Sequence, residues 1–463
     1  MPKILVIGAG PAGARAALRA AELGAETVLV TSGEFGGMAA NDGPVPVRTL
    51  ACAARLIREA KQLGDYGVVV NEPALDYPRL MQRVRQVTEA VRAHATRYED
   101  FKRLGVTVHE RTGNARLVDP HTVETESGLR IQADRFILCT GGVSRKLSLP
   151  GFEHTCTHSD AWGLKSVPPS MIVVGGGDTG VQVASIFNAF GSRIQIFQSG
   201  PRIVPVADEA VSLEVTKAFR ESGIVVRESF GTLESFEKTS GGVRMHFSKD
   251  GVRDYAEAAV VVVAVGWVAN TANLNLNAAG VELNERGFVK VNEYLQTTAP
   301  HVFAAGDITG RLMLVPQGLH EGFLAATNAV QGATTPYASP VNPVGSFTDP
   351  EYAQVGLTEA QARQAHDIIS AVVPFDTVAR NLIDGRTGGC CKLITDRKTC
   401  RVIGCHIVGE RAVEICQMAA VVMAGGMRVD ELVRIPLSFP TYAGILIRAA
   451  ASTIQQLQSQ SPT

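Results

Sequence analysis

The residues best placed to do chemistry are six glycines in two copies of one pattern. Gly8, Gly10 and Gly13 follow an apolar run of strand length, Lys3 to Ile7, and open an Ala-rich helical stretch that Gly24 stops. Gly175, Gly177 and Gly180 follow Met171 to Val174 and open a second helix, stopped at Gly191. A strand feeding G-x-G-x-x-G and then a helix is a dinucleotide turn. The first glycine makes the turn, the second lets backbone approach a pyrophosphate, and the third lets helix pack on strand. The helix start then offers free N–H groups and the positive end of its dipole to phosphate. In both copies the next strand ends at the same distance from the first glycine, at Thr31 and at Gln198. The chain is therefore expected to hold two dinucleotides. In such folds an acid about 20 residues past the glycines usually takes the adenosine ribose. Here that residue is Thr31, with Glu34 close by as a substitute.

The elements around these turns follow from periodicity. Thr27–Val30 is a strand expected to pair in parallel with the first. A helical segment runs from Gly36 to about Leu63 and another from Tyr77 to Leu104. Short strands follow at Val106–Val108, Ala115–Val118, Thr122–Thr125 and Arg130–Ile131, then a buried strand from Arg135 into Gly141-Gly142. In the second fold Arg193–Phe197 is a strand, and Val225–Glu228, Gly231–Lys238 and Gly242–Ser248 read as a three-strand meander. The apolar stretch Ala258 to Ala269 reads as a buried strand, with Val260–Val265 as the strand that completes the second fold, and is far short of the ~20 residues that span a bilayer. Val302–Ala305 meets a Gly306-Asp307 turn, and a helix follows over Gly318–Gln331. Beyond the Pro-rich boundary 336–343 comes an α+β region. Its strands lie near Gly345–Phe347, Ile368–Val373, Cys390–Ile394 and Val402–Val408. Its helices lie at Thr358–His366, Ala412–Ala424, Val429–Arg434 and Tyr442–Gln458.

Composition excludes some partners. A net charge of −1 gives no electrostatic drive toward nucleic acid or an anionic membrane. No signal-peptide pattern precedes the first strand, and the eight cysteines form no C-x-x-C and no zinc-like spacing. They read as packing thiols of a cytoplasmic protein, Cys52 among them. No metal motif is present.

The ordered set Gly8-x-Gly10-x-x-Gly13, Thr140-Gly141, Gly175-x-Gly177-x-x-Gly180, Ala264-Val-Gly266 and Ala305-Gly306-Asp307 resembles the pyridine nucleotide–disulfide oxidoreductases. So does Phe347-Thr-Asp-Pro-Glu351-x-Ala353-x-Val-Gly356-Leu-Thr358. The resemblance covers essentially the whole chain. It implies an α/β fold with two Rossmann-like domains, for FAD at 1–149 and for NADH or NADPH at 150–268. It also implies a central domain at 269–337 completing the FAD site and an interface domain at 338–463 forming a homodimer. By that resemblance Gly37 and Met38 lie at the FAD site, Gly113 and Ala115 flank the adenine, Asp307 holds the ribityl chain, and Gly266 lies beside the nicotinamide cofactor.

The departures bear on the reaction. The family motif G-G-T-C-x-N-x-G-C keeps Gly36, Gly37, Asn41 and Gly43 here, while its cysteine positions hold Ala39 and Pro44. The partner-subunit motif H-P-T-x-x-E reads Phe439-Pro440-Thr441-Tyr442-Ala443-Gly444, without its His or Glu. The Lys–Glu pair that family enzymes place beside the flavin becomes Arg48 and Gln182. A cation kept without its carboxylate partner favours an anionic reduced flavin. The expected activity is NAD(P)H oxidation through FAD to a small non-disulfide acceptor such as a quinone, with Phe439 and Tyr442 of the partner subunit facing it and Tyr442 a candidate proton donor. A transhydrogenase, or a flavin-bearing redox sensor without turnover, are the other readings the residues leave open. Nicotinamide choice is open too: Gln198 and Ser199 stand where NAD and NADP enzymes usually place an acid and an arginine.

Overall fold

The computed structural model describes residues 1–95, 98–338 and 341–459. Parts of two expected segments, 96–97 and 339–340, lie outside them. The chain divides into two compact units, one of Met1–Leu50, Pro78–Arg145 and Gly266–Ser339, the other of Ala51–Tyr77, Lys146–Val265 and Pro340–Thr463.

The first unit is built on a five-stranded parallel sheet. Lys3–Ile7 lies between Glu26–Val30 and Arg135–Leu138, with Thr107–His109 and Val302–Ala304 at the two edges. Parallel strands are covered on both faces, so they read as unbroken apolar runs. Ile4, Leu5, Val6, Phe136, Ile137 and Leu138 are completely buried, as that rule requires. Helix Pro11–Glu22 has Pro at its start, where the missing N–H costs no hydrogen bond. It packs through Ala12 on Gly318 and Gly322 of helix Val315–Gln331; a Cβ on Gly322 would lie 2.1 Å from the Ala12 carbonyl oxygen. A three-stranded antiparallel sheet (Ala115–Asp119, Thr122–Thr125, Arg130–Gln132) and a two-stranded ribbon (Gly142–Ser144 with Trp267–Ala269) complete the unit.

The second unit repeats the theme. Ser170–Val174 lies between Arg193–Gln198 and Val260–Val263, with Val225–Glu228 outside, all parallel. A five-stranded antiparallel sheet of Val344–Ser346, Tyr352–Gly356, Val402–Val408, Cys390–Asp396 and Ile368–Pro374 carries helices Ala412–Ala424 and Gly444–Ser459.

Several local expectations need correcting. Val225–Glu228 belongs to the parallel sheet, not the meander, whose strands are Thr232–Thr239, Gly242–Lys249 and Val252–Ala258. No apolar run marks the last in the sequence, because its first four residues face solvent and carry two charges. Of Ala258–Ala269, Ala258 closes the strand Val252–Ala258, and the rest forms two strands, Val260–Val263 and Trp267–Ala269, with Gly266 at φ +111° between them. The segment from Gly36 is two helices, Gly37–Asn41 and Pro44–Gln62, and that from Tyr77 is Tyr77–Ala95 and Tyr98–Arg103. Cys52 is exposed, so it does not pack a core. Among the described residues no helix is long and apolar enough to cross a membrane.

Candidate functional site

In the first unit a cavity of about 440 Å³ opens at the C-terminal ends of strands Lys3–Ile7, Glu26–Val30 and Arg135–Leu138. From Lys3–Ile7 the chain winds to Glu26–Val30 and Thr107–His109 on one side and then returns to Arg135–Leu138 on the other, and such a reversal is where an open α/β sheet leaves a crevice. Its wall includes Gly8, Gly10, Thr31, Gly37, Met38, Gly113, Ala115, Thr140, Gly141 and Asp307, which the sequence spreads over some three hundred positions.

Backbone contacts show why the glycines are needed. A Cβ on Gly13 would sit 1.7 Å from the Gly8 carbonyl oxygen, and one on Gly37, at φ +57°, would sit 2.7 Å from the Gly10 Cα. Gly13 itself does not line the cavity; it seats the helix on the turn. The helix starts at Gly10 with no side-chain cap and no acid in its first turn, so its leading N–H groups face the cavity unsatisfied by side chains. A crevice bordered by such a helix start suits the pyrophosphate of a dinucleotide.

The rest of the wall is braced from behind. Asn41 donates to the carbonyls of Phe35 and Gly37, 3.1 and 2.9 Å, holding that loop. Thr140 donates to the Asn270 carbonyl at 2.7 Å, and the Asn270 amide returns a bond to the Thr140 carbonyl at 3.2 Å. Glu321, fully buried, accepts from the Gly306 N–H at 2.8 Å and from the Gln317 amide at 2.6 Å. Burial, with a smaller push from Glu321, raises the Asp307 carboxyl to about 6. Glu321 and Gln317 escaped sequence reading. They are spaced i, i+4 on one helix, but only the folded chain shows that the pair props the Gly306-Asp307 turn.

The wall beside Ile7 and Met38 is poor in sulfur chemistry. Met38, Ala39 and Pro44 line it. Cys139 also borders the cavity, yet it is buried under Gly13 and burial pushes its thiol far up. Arg48, one turn beyond Pro44, is exposed and is not part of the lining.

The second unit holds the second turn with the same clashes built in. A Cβ on Gly180 would lie 1.9 Å from the Gly175 carbonyl oxygen, and one on Gly175 would lie 2.3 Å from the Ala264 carbonyl oxygen. Gly177 precedes the helix without a side-chain cap. The carboxylate of Asp178 in the first turn is turned aside, accepting from the Tyr352 hydroxyl at 2.5 Å. Gln198 folds back so that its Oε1 accepts the Gly176 N–H at 2.8 Å. Arg202 donates to the carbonyls of Pro205 and Ala207. Gln182 is held within this unit, its amide donating to the Asp178 carbonyl at 2.9 Å and its Oε1 accepting from the Phe347 N–H at 3.4 Å. Gly266 belongs to the first unit, where its carbonyl accepts from the Arg145 N–H.

Near the C-terminus Phe439 is 86% exposed. The Tyr442 hydroxyl donates to Asp384 at 2.5 Å, and Arg380 grips the same carboxylate at 2.7 Å. Burial and that carboxylate push the phenol well up.

Comparison with known proteins gives a consistent picture. Residues 2–322 match the family described as pyridine nucleotide-disulphide oxidoreductase, and residues 342–450 match its dimerisation domain. The chain is 31% identical to a mercuric reductase of Bacillus cereus, over 92% of this chain and 68% of that one. It is 32% identical to a dihydrolipoyl dehydrogenase of Vibrio parahaemolyticus, over 95% and 93%. It shares its fold with the HOCl-induced flavoprotein disulfide reductase RclA from Escherichia coli, at a TM-score of 0.85 and 24% identity over 97% and 99% of the two chains. Two domain matches spanning nearly the whole length, and identity at this level to full-length relatives, place the chain in the pyridine nucleotide–disulphide oxidoreductase family.

Proposed function

We propose that the chain is an FAD-dependent NAD(P)H oxidoreductase that hands electrons to a small non-disulfide acceptor, a quinone or similar flat electrophile. The family uses FAD and NAD(P)H, and when bound the flavin supplies the two-electron relay between the nicotinamide and the acceptor. The protein's own work is to bind, orient and exclude. Gly8, Gly10 and the start of helix Pro11–Glu22 receive the FAD pyrophosphate, Thr31 and Gly113 border the adenosine end, and Asp307 meets the ribityl chain. Gly175, Gly177 and Gly180 take the nicotinamide cofactor, with Gln198 at its ribose. The domain division at 149, 268 and 337, a homodimer joined through the C-terminal region and a cytoplasmic setting belong to the same proposal.

One observation carries the choice of acceptor. Where relatives hold the redox thiols, the cavity wall is Met38, Ala39 and Pro44, a small apolar surface with no group that can take part in sulfur exchange. Such a wall suits a flat apolar acceptor better than a charged disulfide. The test is an acceptor screen on flavin-loaded protein. Benzoquinone or dichlorophenolindophenol should support NAD(P)H oxidation, and lipoamide, glutathione disulfide and Hg²⁺ should not. Robust lipoamide reduction by clean protein would reject the proposal, and reduction of thio-NADP⁺ by NADH without quinone would favour a transhydrogenase.

A further inference from the structure

We infer that Glu34, gripped by Arg92 and Arg111, holds the adenosine ribose of FAD in this chain, the task an acid at the end of the second strand performs in most dinucleotide folds. The inference rests on FAD occupying the first nucleotide turn. The strand-end position is Thr31, and its backbone is committed to the sheet. Its N–H donates to the His109 carbonyl at 3.0 Å, and its carbonyl accepts from the Thr112 N–H at 3.1 Å and hydroxyl at 3.2 Å. The Thr31 side chain is neutral and the residue is 7% exposed. Glu34 stands three residues on, in the wall of the same cavity, next to Ser32, Gly33 and Gly113. Among the described residues, Glu34 and Asp307 are the two carboxylates of that wall.

Two guanidinium groups from different elements fix this carboxylate. Oε1 accepts from Arg111 Nε at 3.0 Å and Nη2 at 2.7 Å, while Oε2 faces Arg92 Nη1 at 3.0 Å. Arg92 reaches over from helix Tyr77–Ala95 with its stem across Gly36, where a Cβ would lie 3.6 Å from Arg92 Cγ. Arg111 follows strand Thr107–His109 at φ +54°. A carboxylate offers about four acceptor positions, so three bonds to arginine leave capacity for a ribose hydroxyl. Two positive charges against one negative keep the group ionised, and an ionised acceptor binds a hydroxyl more strongly than a threonine does. Glu34 is the binding group; Arg111 and Arg92 are positioning residues.

Full-length protein is stripped of flavin and titrated with FAD and with FMN, which lacks the adenosine ribose. Glu34→Gln keeps the shape and removes the charge. Its FAD Kd should rise about 10- to 100-fold, the range for losing a hydrogen bond to a charged group, with its FMN Kd within twofold of wild type. Arg111→Met should weaken FAD and not FMN, and Arg111→Lys should recover part of the loss, because lysine keeps the charge without the two-pronged geometry. An E34Q protein that binds FAD as wild type does overturns the inference. So does one that loses FAD and FMN equally, which would make the Glu34–arginine cluster a loop brace. Wild-type protein that takes up FMN but not FAD would instead reject the FAD reading on which the inference stands.

Discussion

Replacing Asp307 by Asn should have opposite effects on the empty and the flavin-loaded chain. Asp307 follows strand Val302–Ala304, and burial together with Glu321 raises its carboxyl from the ordinary 3.8 to about 6. A carboxyl whose pKa rises on folding favours the protonated native chain. That contribution is fully present below about pH 4 and is lost as pH climbs through 6, so ionised Asp307 strains the empty protein at neutral pH. A rise of roughly two pH units at 1.36 kcal/mol each sets an upper bound of about 3 kcal/mol. At about 2–4 °C per kcal/mol for a domain of 150–250 residues, flavin-free Asp307→Asn should melt up to about 10 °C higher at pH 7.5. The gap should close near pH 4. With FAD bound the sign reverses if Asp307 meets the ribityl chain, because the amide accepts less strongly than the carboxylate. Differential scanning calorimetry of both proteins from pH 4 to 8, empty and loaded, is the assay. A melting difference that does not change with pH, or an empty wild type more stable than the variant at pH 7.5, would refute the reasoning.

Other outcomes follow from the same geometry. Gly13→Ala puts a methyl 1.7 Å from the Gly8 carbonyl oxygen, and the purified variant should be colourless or unfolded; yellow protein with wild-type FAD content would contradict this. Lys392, buried between Asp208 at 2.8 Å and Glu359 at 2.6 Å, should not tolerate Met. Removing the cation strands the carboxylate of Asp208, which is 2% exposed, while Glu359, a quarter exposed, keeps Arg363; the loss of the one buried pair should cost about 3–5 kcal/mol in urea unfolding. Tyr442→Phe separates two roles. A general acid lost from a reaction typically costs about 100-fold or more in turnover, whereas a tether to Asp384 costs about 1 kcal/mol of stability and little rate. The hydroxyl's commitment to Asp384 predicts the second outcome, read from quinone turnover beside a melting curve.

Much of this fold was legible because backbone sterics leave no alternative. Gly13 and Gly180 are glycines because anything larger meets a carbonyl oxygen, and that need shows in the sequence as spacing. The parallel strands were legible as apolar runs because both their faces are covered. Val252–Ala258 was invisible since it lies at the edge of its sheet with charged residues outward. Tyr352–Gly356 was hidden inside a stretch read as a family signature, and helix Ala379–Ile383 is too short for a periodicity to register. At the site, types of residue were readable and pairings were not. Glu34 could be named as an acid near Thr31, but the arginines that hold it come from positions 92 and 111. Glu321 and Gln317 looked like one more helical face until the fold turned them toward Gly306.

The most direct measurement is an anaerobic titration of the purified, flavin-loaded protein with a reductant of known strength, following the flavin absorbance to completion. A chain whose electrons leave the flavin without passing through sulfur takes up two electrons per FAD, with no new protein thiols. Uptake of four electrons, with two thiols appearing, would mean that a disulfide elsewhere in the protein shares the load.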